Sequence, residues 1–585
     1  MKSSPVKRMA SLLLCFSALA MFAVASGGAA AQEFNERFDH WPIDLKINGR
    51  IVIADETAGP AAVKEALQRS ERRTPSGDAG DAALLFDEAF ADDRAAEYAQ
   101  LFPQGSNGTR RVIVARATAP FDRQICELLR SCNILLWQSS QPPPEDPHNA
   151  LPAIRDALQS HLAAGGTIIA IGSPAKLMSA CYLAGPERHA RLAEGLNLMP
   201  DCVIETGYDG EGADRGRLLS ALALRPRCVG IGIEKEAAVV LSGRRLSVAG
   251  QGKAAVLLMA NERESLRVQT ISQPTSPRQS PEEYLIDLTQ WRREAIDRTL
   301  EPFPSAEPAE PRVENGALVI VGGGKMPAGL MDRFIELAGG PQLARLIYIP
   351  CLEAEEPPEN PLVLTQWKRM GVKQAVQLHT KDRNKANRDE EFLTPLKSAT
   401  GIWFGGGRQW NLADSYYGAE AHRLMKQVLK RGGVIGGSSA GASIQARYLV
   451  RAAPLGNLQI MAPGYERGGL GFISGVAIDQ HFSQRRRHKD MTQLMNRYPQ
   501  LLGIGLDEGT AIIVQNSVAE IVGTGNAHFY DRNLPVFPDR PDYIALPAGA
   551  AYDLARRAVL KEPRKPMPPD AQQGSDMDES AAADR

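Results

Sequence analysis

The sequence predicts an α/β fold, a parallel-sheet sandwich used twice in one chain. Three observations carry that reading. Apolar strand-length runs alternate with helix-period segments on both sides of residues 263–316, a pattern that implies parallel strands with helices on both faces. Residues 215–241 align without a gap to residues 488–514, so that Pro226 meets Pro499 and Gly230-Ile231-Gly232 meets Gly503-Ile504-Gly505. Gly165-Gly166-Thr167-Ile168-Ile169 likewise resembles Gly432-Gly433-Val434-Ile435, each following an amphipathic helix.

In the second half, residues 317–321 form an apolar strand followed by Gly322-Gly323-Gly324. A helix comes next, with Leu330, Phe334, Leu337 and Ala338 at helical spacing and Gly339-Gly340 closing it. Strands at 346–349 and 401–404, a helix around 419–430, a strand at Val434-Ile435 and a helix-competent stretch at 443–449 complete the pattern. Residues 263–316 are rich in Pro, Glu, Arg and Ser and read as a linker, or as a packing helix over 281–299 followed by a linker. Residues 561–585 have little apolar content and read as disordered.

At the other end, Lys2, Lys7 and Arg8 precede an apolar stretch at 9–25 and the run Ala29-Ala30-Ala31. That order predicts a secretory signal cut near Gln32, with an uncleaved anchor as the alternative. Leu14 before Cys15 is too bulky for a lipoprotein signal. The predicted organisation is a signal (1–31), a degenerate α/β domain (32–262), a linker (263–316), a catalytic α/β domain (317–560) and a tail (561–585). The mature protein is expected outside the cytoplasm, periplasmic or extracellular.

Composition narrows the classes. The 585 residues are 43% hydrophobic and 23% charged with a formal net charge of −1, which excludes a wholly disordered, collagen-like or polytopic membrane protein. So balanced a chain has no global electrostatic reason to bind nucleic acid or an anionic membrane. Of seven cysteines, the six outside the signal fit no disulfide framework or zinc pattern and read as small buried hydrophobes. The nine histidines are scattered, and the pair His481 and His488 has no third ligand nearby, so no metal is expected. No dinucleotide or phosphate-cradling fingerprint occurs in context, so no cofactor is expected.

The chemistry concentrates in the second half. Gly437-Ser438-Ser439-Ala440-Gly441-Ala442 is G-x-S-x-G between a strand and a helix-competent stretch. Small flanking residues there let the serine protrude from a sharp turn, and the helix start aims free N–H groups at a developing oxyanion. His481 follows a strand at 476–478 and lies where open α/β sheets carry ligand residues. Arg485, Arg486 and Arg487 come next, suited to grip a carboxylate. The acid candidates are Glu466 and the pair Asp507-Glu508; no Asp or Glu occurs between Ser439 and Glu466, unlike an ordinary α/β-hydrolase. The loop Phe404-Gly405-Gly406-Gly407-Arg408-Gln409 offers an amide to complete an oxyanion hole.

Together these motifs resemble the peptidase S51 family, whose members show a strand followed by GGG, F-x-G-G-x-Q, G-x-S-A-G-A, D-Q-H-F-x-Q-R-x-R and G-I-G-x-D-E in this order. The resemblance covers residues 317–560 and implies a sandwich of the class I glutamine amidotransferase-like type with serine as nucleophile. It implies Ser439 as nucleophile, His481 as base and Glu508 as acid, with the Gly407 and Ala440 amides as oxyanion hole. Gln409, Asp479, Gln480, Arg485 and Arg487 would line a site for a β-aspartyl-arginine unit. The implied activity is that of an exported serine exopeptidase cleaving a polymer of aspartate and arginine into dipeptides; a homodimer is a possible form. Two positions depart from polymer-cleaving members: Arg408 stands where an Asp is usual, and Asp490 where a third arginine is usual. An aspartyl dipeptidase and a non-catalytic extracellular binding protein are the alternatives. Another assignment within the family puts the acid shortly after the nucleophile, where this chain has Asn457. The first half has Glu205-Thr206-Gly207-Tyr208 in place of Asp479-Gln480-His481, and Ile171-Gly172-Ser173-Pro174-Ala175 in place of the elbow. It reads as a non-catalytic copy.

Overall fold

The structure, a computed structural model, describes residues 47–68, 81–87, 92–102, 112–117, 126, 128–129, 132–140, 151–185, 191–210, 212–456 and 459–561. The predicted signal at 1–31, Asn457 and residues 562–585 of the predicted tail lie outside these. Strands of the first half are β1 (Arg50–Ala54), β2 (Ala82–Asp87), β3 (Val112–Ala117), β4 (Ile134–Ser139), β5 (Thr167–Gly172), β6 (Ser179–Ala184), β7 (Arg191–Glu194), β8 (Met199–Thr206), β9 (Val229–Ile233), β10 (Ala237–Ser242), β11 (Arg245–Gly250), β12 (Ala254–Leu258), β13 (Arg267–Ile271) and β14 (Ile286–Asp287). Those of the second are β15 (Val313–Val321), β16 (Arg345–Cys351), β17 (Gln374–Gln377), β18 (Gly401–Gly407), β19 (Val434–Ser438), β20 (Ala446–Tyr448), β21 (Ile473–Gln480), β22 (Leu502–Leu506), β23 (Thr510–Asn516), β24 (Val518–Gly523), β25 (Asn526–Asp531), β26 (Ile544–Pro547), β27 (Ala551–Asp553) and β28 (Ala558–Lys561). The helices that bear on the site are α1 (Ser173–Leu177), α2 (Leu288–Asp297), α3 (Trp410–Tyr416), α4 (Glu420–Lys430), α5 (Ala440–Ser443) and α6 (His488–Arg497).

These strands make four sheets. In the first half the orders are β14-β11-β10-β1-β5-β4-β2-β3 and β13-β12-β9-β8-β6-β7. In the second they are β28-β27-β24-β23-β15-β19-β18-β16-β17 and β26-β25-β22-β21-β20. In each half the central strand runs parallel to the elbow strand on one side (β1 with β5, β15 with β19) and antiparallel to its other neighbour (β10, β23). The architecture is mixed α/β, with more antiparallel strand than the sequence pattern implied. Strands such as Ile168 to Ile171 and Ala317 to Val321 are buried on both faces, which is why they read as unbroken apolar runs.

Two local expectations change. The stretch 443–449 is not a helix: α5 ends at Ser443 and the chain re-enters a sheet as β20, pairing parallel with β21. One helical turn suffices to carry the chain from the larger sheet to the smaller. Residues 263–316 are also more than a linker. They supply β13 and β14 to the two first-half sheets, and α2 buries Leu288, Trp291, Arg293 and Ala295. Five of the six cysteines are buried, Cys126 is half-buried, and all six are free thiols. Among the described residues no helix is long and apolar enough to cross a membrane.

Candidate active site

The elbow forms because β19 and α5 meet with no room for side chains beside Ser439. A Cβ on Gly437 would stand 2.3 Å from the Gly441 carbonyl oxygen, and one on Gly441 would stand 2.2 Å from that of Phe404. Ser439 takes φ 57° and ψ −114°, a region that costs an L-residue about 1–3 kcal/mol. It stays there because its amide donates to the Val321 carbonyl (3.1 Å) and Ala442 and Ser443 bond back to its own carbonyl. Ala440 is the first residue of α5, so its amide is one of the donors a helix start leaves unpaired.

His481 lies one residue beyond β21 at φ 50°, its amide donating to the Gly322 carbonyl at 2.7 Å. Its Nε2 is 2.8 Å from Ser439 Oγ and its Nδ1 is 2.6 Å from Glu508 Oε1. The glycine run forms the floor of this pair: a Cβ on Gly323 would sit 2.3 Å from His481 Cε1, and one on Gly324 2.8 Å from Glu508 Cβ. Gln484 holds the acid's backbone, its Oε1 accepting the Glu508 amide at 2.9 Å. On the far side of the serine, a Cβ on Gly406 would lie 4.0 Å from Ser439 Oγ, so the β18 end runs alongside the nucleophile. Gly407 adjoins it at φ 145°, exposed.

Burial, the largest effect, lowers the His481 pKa below the ordinary histidine value; the Glu508 hydrogen bond opposes this and the Arg485 charge adds to it. The imidazole is therefore neutral near pH 7 and free to accept a proton. Of the other acid candidates, Asp507 is committed to the Ser483 and Asn526 amides and His528 Nε2. Glu466 is half-buried beside Tyr448 and Tyr498, and desolvation pushes its carboxyl up to about 7.

Four residues expected to line a substrate cleft are buried in this structure and hydrogen-bonded to the protein's own groups. Asp479 is fully buried and paired with Arg451 (2.9 Å) and with Arg487 (2.8 Å), which is itself buried. Gln480 is buried and accepts from Arg487 through its backbone and side-chain oxygens. Gln409 turns inward to donate to the Val450 carbonyl at 2.8 Å. An ionised carboxylate cannot be buried without such partners, so these residues support the β21 end. Asp490 joins the same network through Arg451 (2.7 Å), which accounts for an acid at that position. Sequence reasoning missed Arg451, whose role depends on a contact 28 residues away. Arg408, Arg485 and Arg486 are exposed, and none of the three has an ion-pair partner among the described residues.

Strand register in the first half can be set beside that of the second. Register along β1 and β5 puts Gly172, not Ser173, at the position of Ser439, with a similar backbone (φ 73°, ψ −126°). Register along β8 and β9 puts Gly207 (φ 72°) where His481 stands and Lys235 where Glu508 stands. None of these three positions carries a serine, histidine or acid. Among the described residues no group of three or more His, Cys, Asp or Glu side chains is placed to hold a metal ion.

Residues 317–522 match the family model described as peptidase family S51. A curated relative from Geminocystis herdmanii, named cyanophycinase, is 28% identical over 204 residues, 34% of this chain and 74% of that protein. One of the same name from Thermosynechococcus vestitus is 29% identical over 209 residues, 34% of this chain and 63% of that protein. A solved peptidase from an acI-B1 Actinobacterium aligns at 22% identity and TM-score 0.32, covering 41% of this chain and 98% of its own.

Proposed function

We propose that the peptidase S51 segment at residues 317–522, a serine-type hydrolase, works as an exopeptidase that releases β-aspartyl-arginine dipeptides from a polymer of aspartate and arginine. The reading is carried by one observation: Ser439 Oγ, His481 and Glu508 in hydrogen-bonded series at 2.8 and 2.6 Å. Ser439 Oγ attacks the scissile carbonyl and passes its proton to His481 Nε2. The Ala440 and Gly407 amides take the oxyanion. The imidazolium then protonates the leaving amine, and water, activated by the same histidine, hydrolyses the acyl-enzyme. Glu508 holds the tautomer that leaves Nε2 free to accept.

The substrate class is supported by relatives named cyanophycinase and by Arg408, Arg485 and Arg486 as exposed cations suited to carboxylates. The first half is read as a second copy of the fold without the chemistry, on its strand order and on Gly172, Gly207 and Lys235. Export is read from residues 1–31 alone. The test is release of β-Asp-Arg when the purified chain meets the polymer. A second reading, an aspartyl dipeptidase, is favoured by the burial of Arg487 and Asp479; cleavage of aspartyl dipeptides with no release from polymer would establish it.

Arg485 offers a further check. A base acts while neutral, so activity is lost as pH falls through the His481 pKa. Removing the Arg485 charge removes one cause that lowers this pKa, so in Arg485→Ala the acidic limb of kcat/KM should move to higher pH. Arg486→Ala, which removes an exposed cation not among those causes, should leave the limb in place. An unmoved limb in Arg485→Ala would remove this arginine from the electrostatics of the base.

A further inference from the structure

The non-catalytic half contacts the second half next to the β18 end that flanks Ser439. Helix α3 follows β18 after Arg408 and Gln409, and all seven of its residues are buried. Its Asp414 carboxylate is held from the first half. Arg244, in the turn between β10 and β11, gives Nη1 to Asp414 Oδ2 at 2.7 Å and Nη2 to Asp287 Oδ1 at 2.8 Å. Arg293 on α2, fully buried, gives Nη1 to Asp414 Oδ1. Tyr465 adds its hydroxyl to Asp414 Oδ1 at 2.9 Å and accepts from Arg244. The Arg244 guanidinium also lies over the Trp410 ring, 5.4 Å from its centroid. Burial would raise the Asp414 pKa, but Arg293, Arg244 and Lys381 outweigh it and hold the carboxyl well below the usual range.

We infer that the first half is a positioning module for the second: Arg244 and Arg293 fix α3, and α3 fixes the Gly406-Gly407 strand end against Ser439. A buried ion cluster is a poor source of net stability, since desolvation offsets much of the attraction. What it does supply is a unique geometry, and a displacement of about 1 Å beside a reacting centre can cost on the order of 100-fold in rate. The first half has lost its own nucleophile, base and acid, and these contacts supply a physical reason for keeping its scaffold.

The experiment uses the full chain and two readouts, the first of which rests on the serine-peptidase reading and the second of which does not. Arg244→Ala leaves Asp414 paired with Arg293 and Tyr465 but leaves buried Asp287 only the Gln290 amide, so both readouts are taken at a folded fraction equal to wild type. We expect kcat to fall about 10- to 100-fold with KM little changed, and amide hydrogen exchange in the segment 404–410 to quicken. Asp414→Asn should do the same. Arg155→Ala, which cuts only first-half bonds to the Leu196 and Gly195 carbonyls, should leave exchange in 404–410 at the wild-type rate. Wild-type exchange in both Arg244→Ala and Asp414→Asn would overturn the inference, as would equal quickening in Arg155→Ala. If the wild-type chain cleaves neither polymer nor dipeptide, the exchange result alone decides.

Discussion

Ser439→Ala should lower the rate of polymer hydrolysis by at least about 10⁴-fold while the protein stays folded. The size of the effect follows from position. Ser439 is the side chain that the elbow turn aims at His481 Nε2, at 2.8 Å. Ser438 is the last residue of β19, in register with Val321, and cannot take its place without breaking that strand pair. What remains in the variant is the oxyanion hole and bound water, which elsewhere leave about 10³–10⁴-fold over the uncatalysed reaction. The fold should be indifferent or gain. Ser439→Gly should raise Tm, because glycine occupies φ 57° without the penalty of a Cβ, and Gly172 already does this in the first half. Two measurements check the point: single-turnover cleavage of polymer, and labelling by a fluorophosphonate followed by mass mapping. Activity within tenfold of wild type, or a label on another serine, would remove Ser439 from the mechanism.

The parts of this site legible in the sequence are those whose chemistry is local. An elbow needs small residues within two positions of its serine, and the carbonyls 2.2–2.3 Å from the absent Cβ atoms show why. His481 and Glu508 each follow a strand, so their common end of the sheets could be read from strand order. Less legible are the residues whose state depends on distant partners. Asp479 and Arg487 look solvated by composition, but each neutralises the other inside the fold with Arg451. Of the two readings of residues 263–316, the packing helix is present at Leu288–Asp297, and the linker reading understates it because Arg292, Arg293 and Glu294 are charged in type and buried in fact, matched to Asp201, Asp414 and the pair Arg267 and Arg298. The correspondence of Gly165-Gly166 with Gly432-Gly433, carried forward without a gap, and the register of β5 with β1 agree in setting Gly172 at the turn after β5.

Glu508→Gln should reduce kcat on the order of 10²- to 10⁴-fold, with KM changed much less. The carboxylate accepts the Nδ1 hydrogen of His481 at 2.6 Å. That bond keeps Nε2 unprotonated toward Ser439 and then stabilises the imidazolium formed during attack. Glutamine preserves volume but can offer an N–H to Nδ1, which favours the tautomer whose Nε2 carries the proton and cannot serve as base. It also removes a group that raises the histidine's pKa, so the residual activity should persist to lower pH than in wild type. The neighbouring Asp507 supplies the contrast. It accepts from Ser483, Asn526 and His528, whereas His481 Nδ1 pairs with Glu508, so Asp507→Asn should cost stability, about 1–3 kcal/mol for the disturbed buried acceptor, and retain most of the turnover. Glu466→Gln, at a half-buried carboxyl beside Tyr448 and Tyr498, should leave the chemical step untouched. Turnover measured across pH for the three variants, with Tm for each, separates the roles. If Asp507→Asn lost more turnover than Glu508→Gln at equal folded fraction, the acid of the series would be Asp507 and the 2.6 Å contact would be incidental to catalysis.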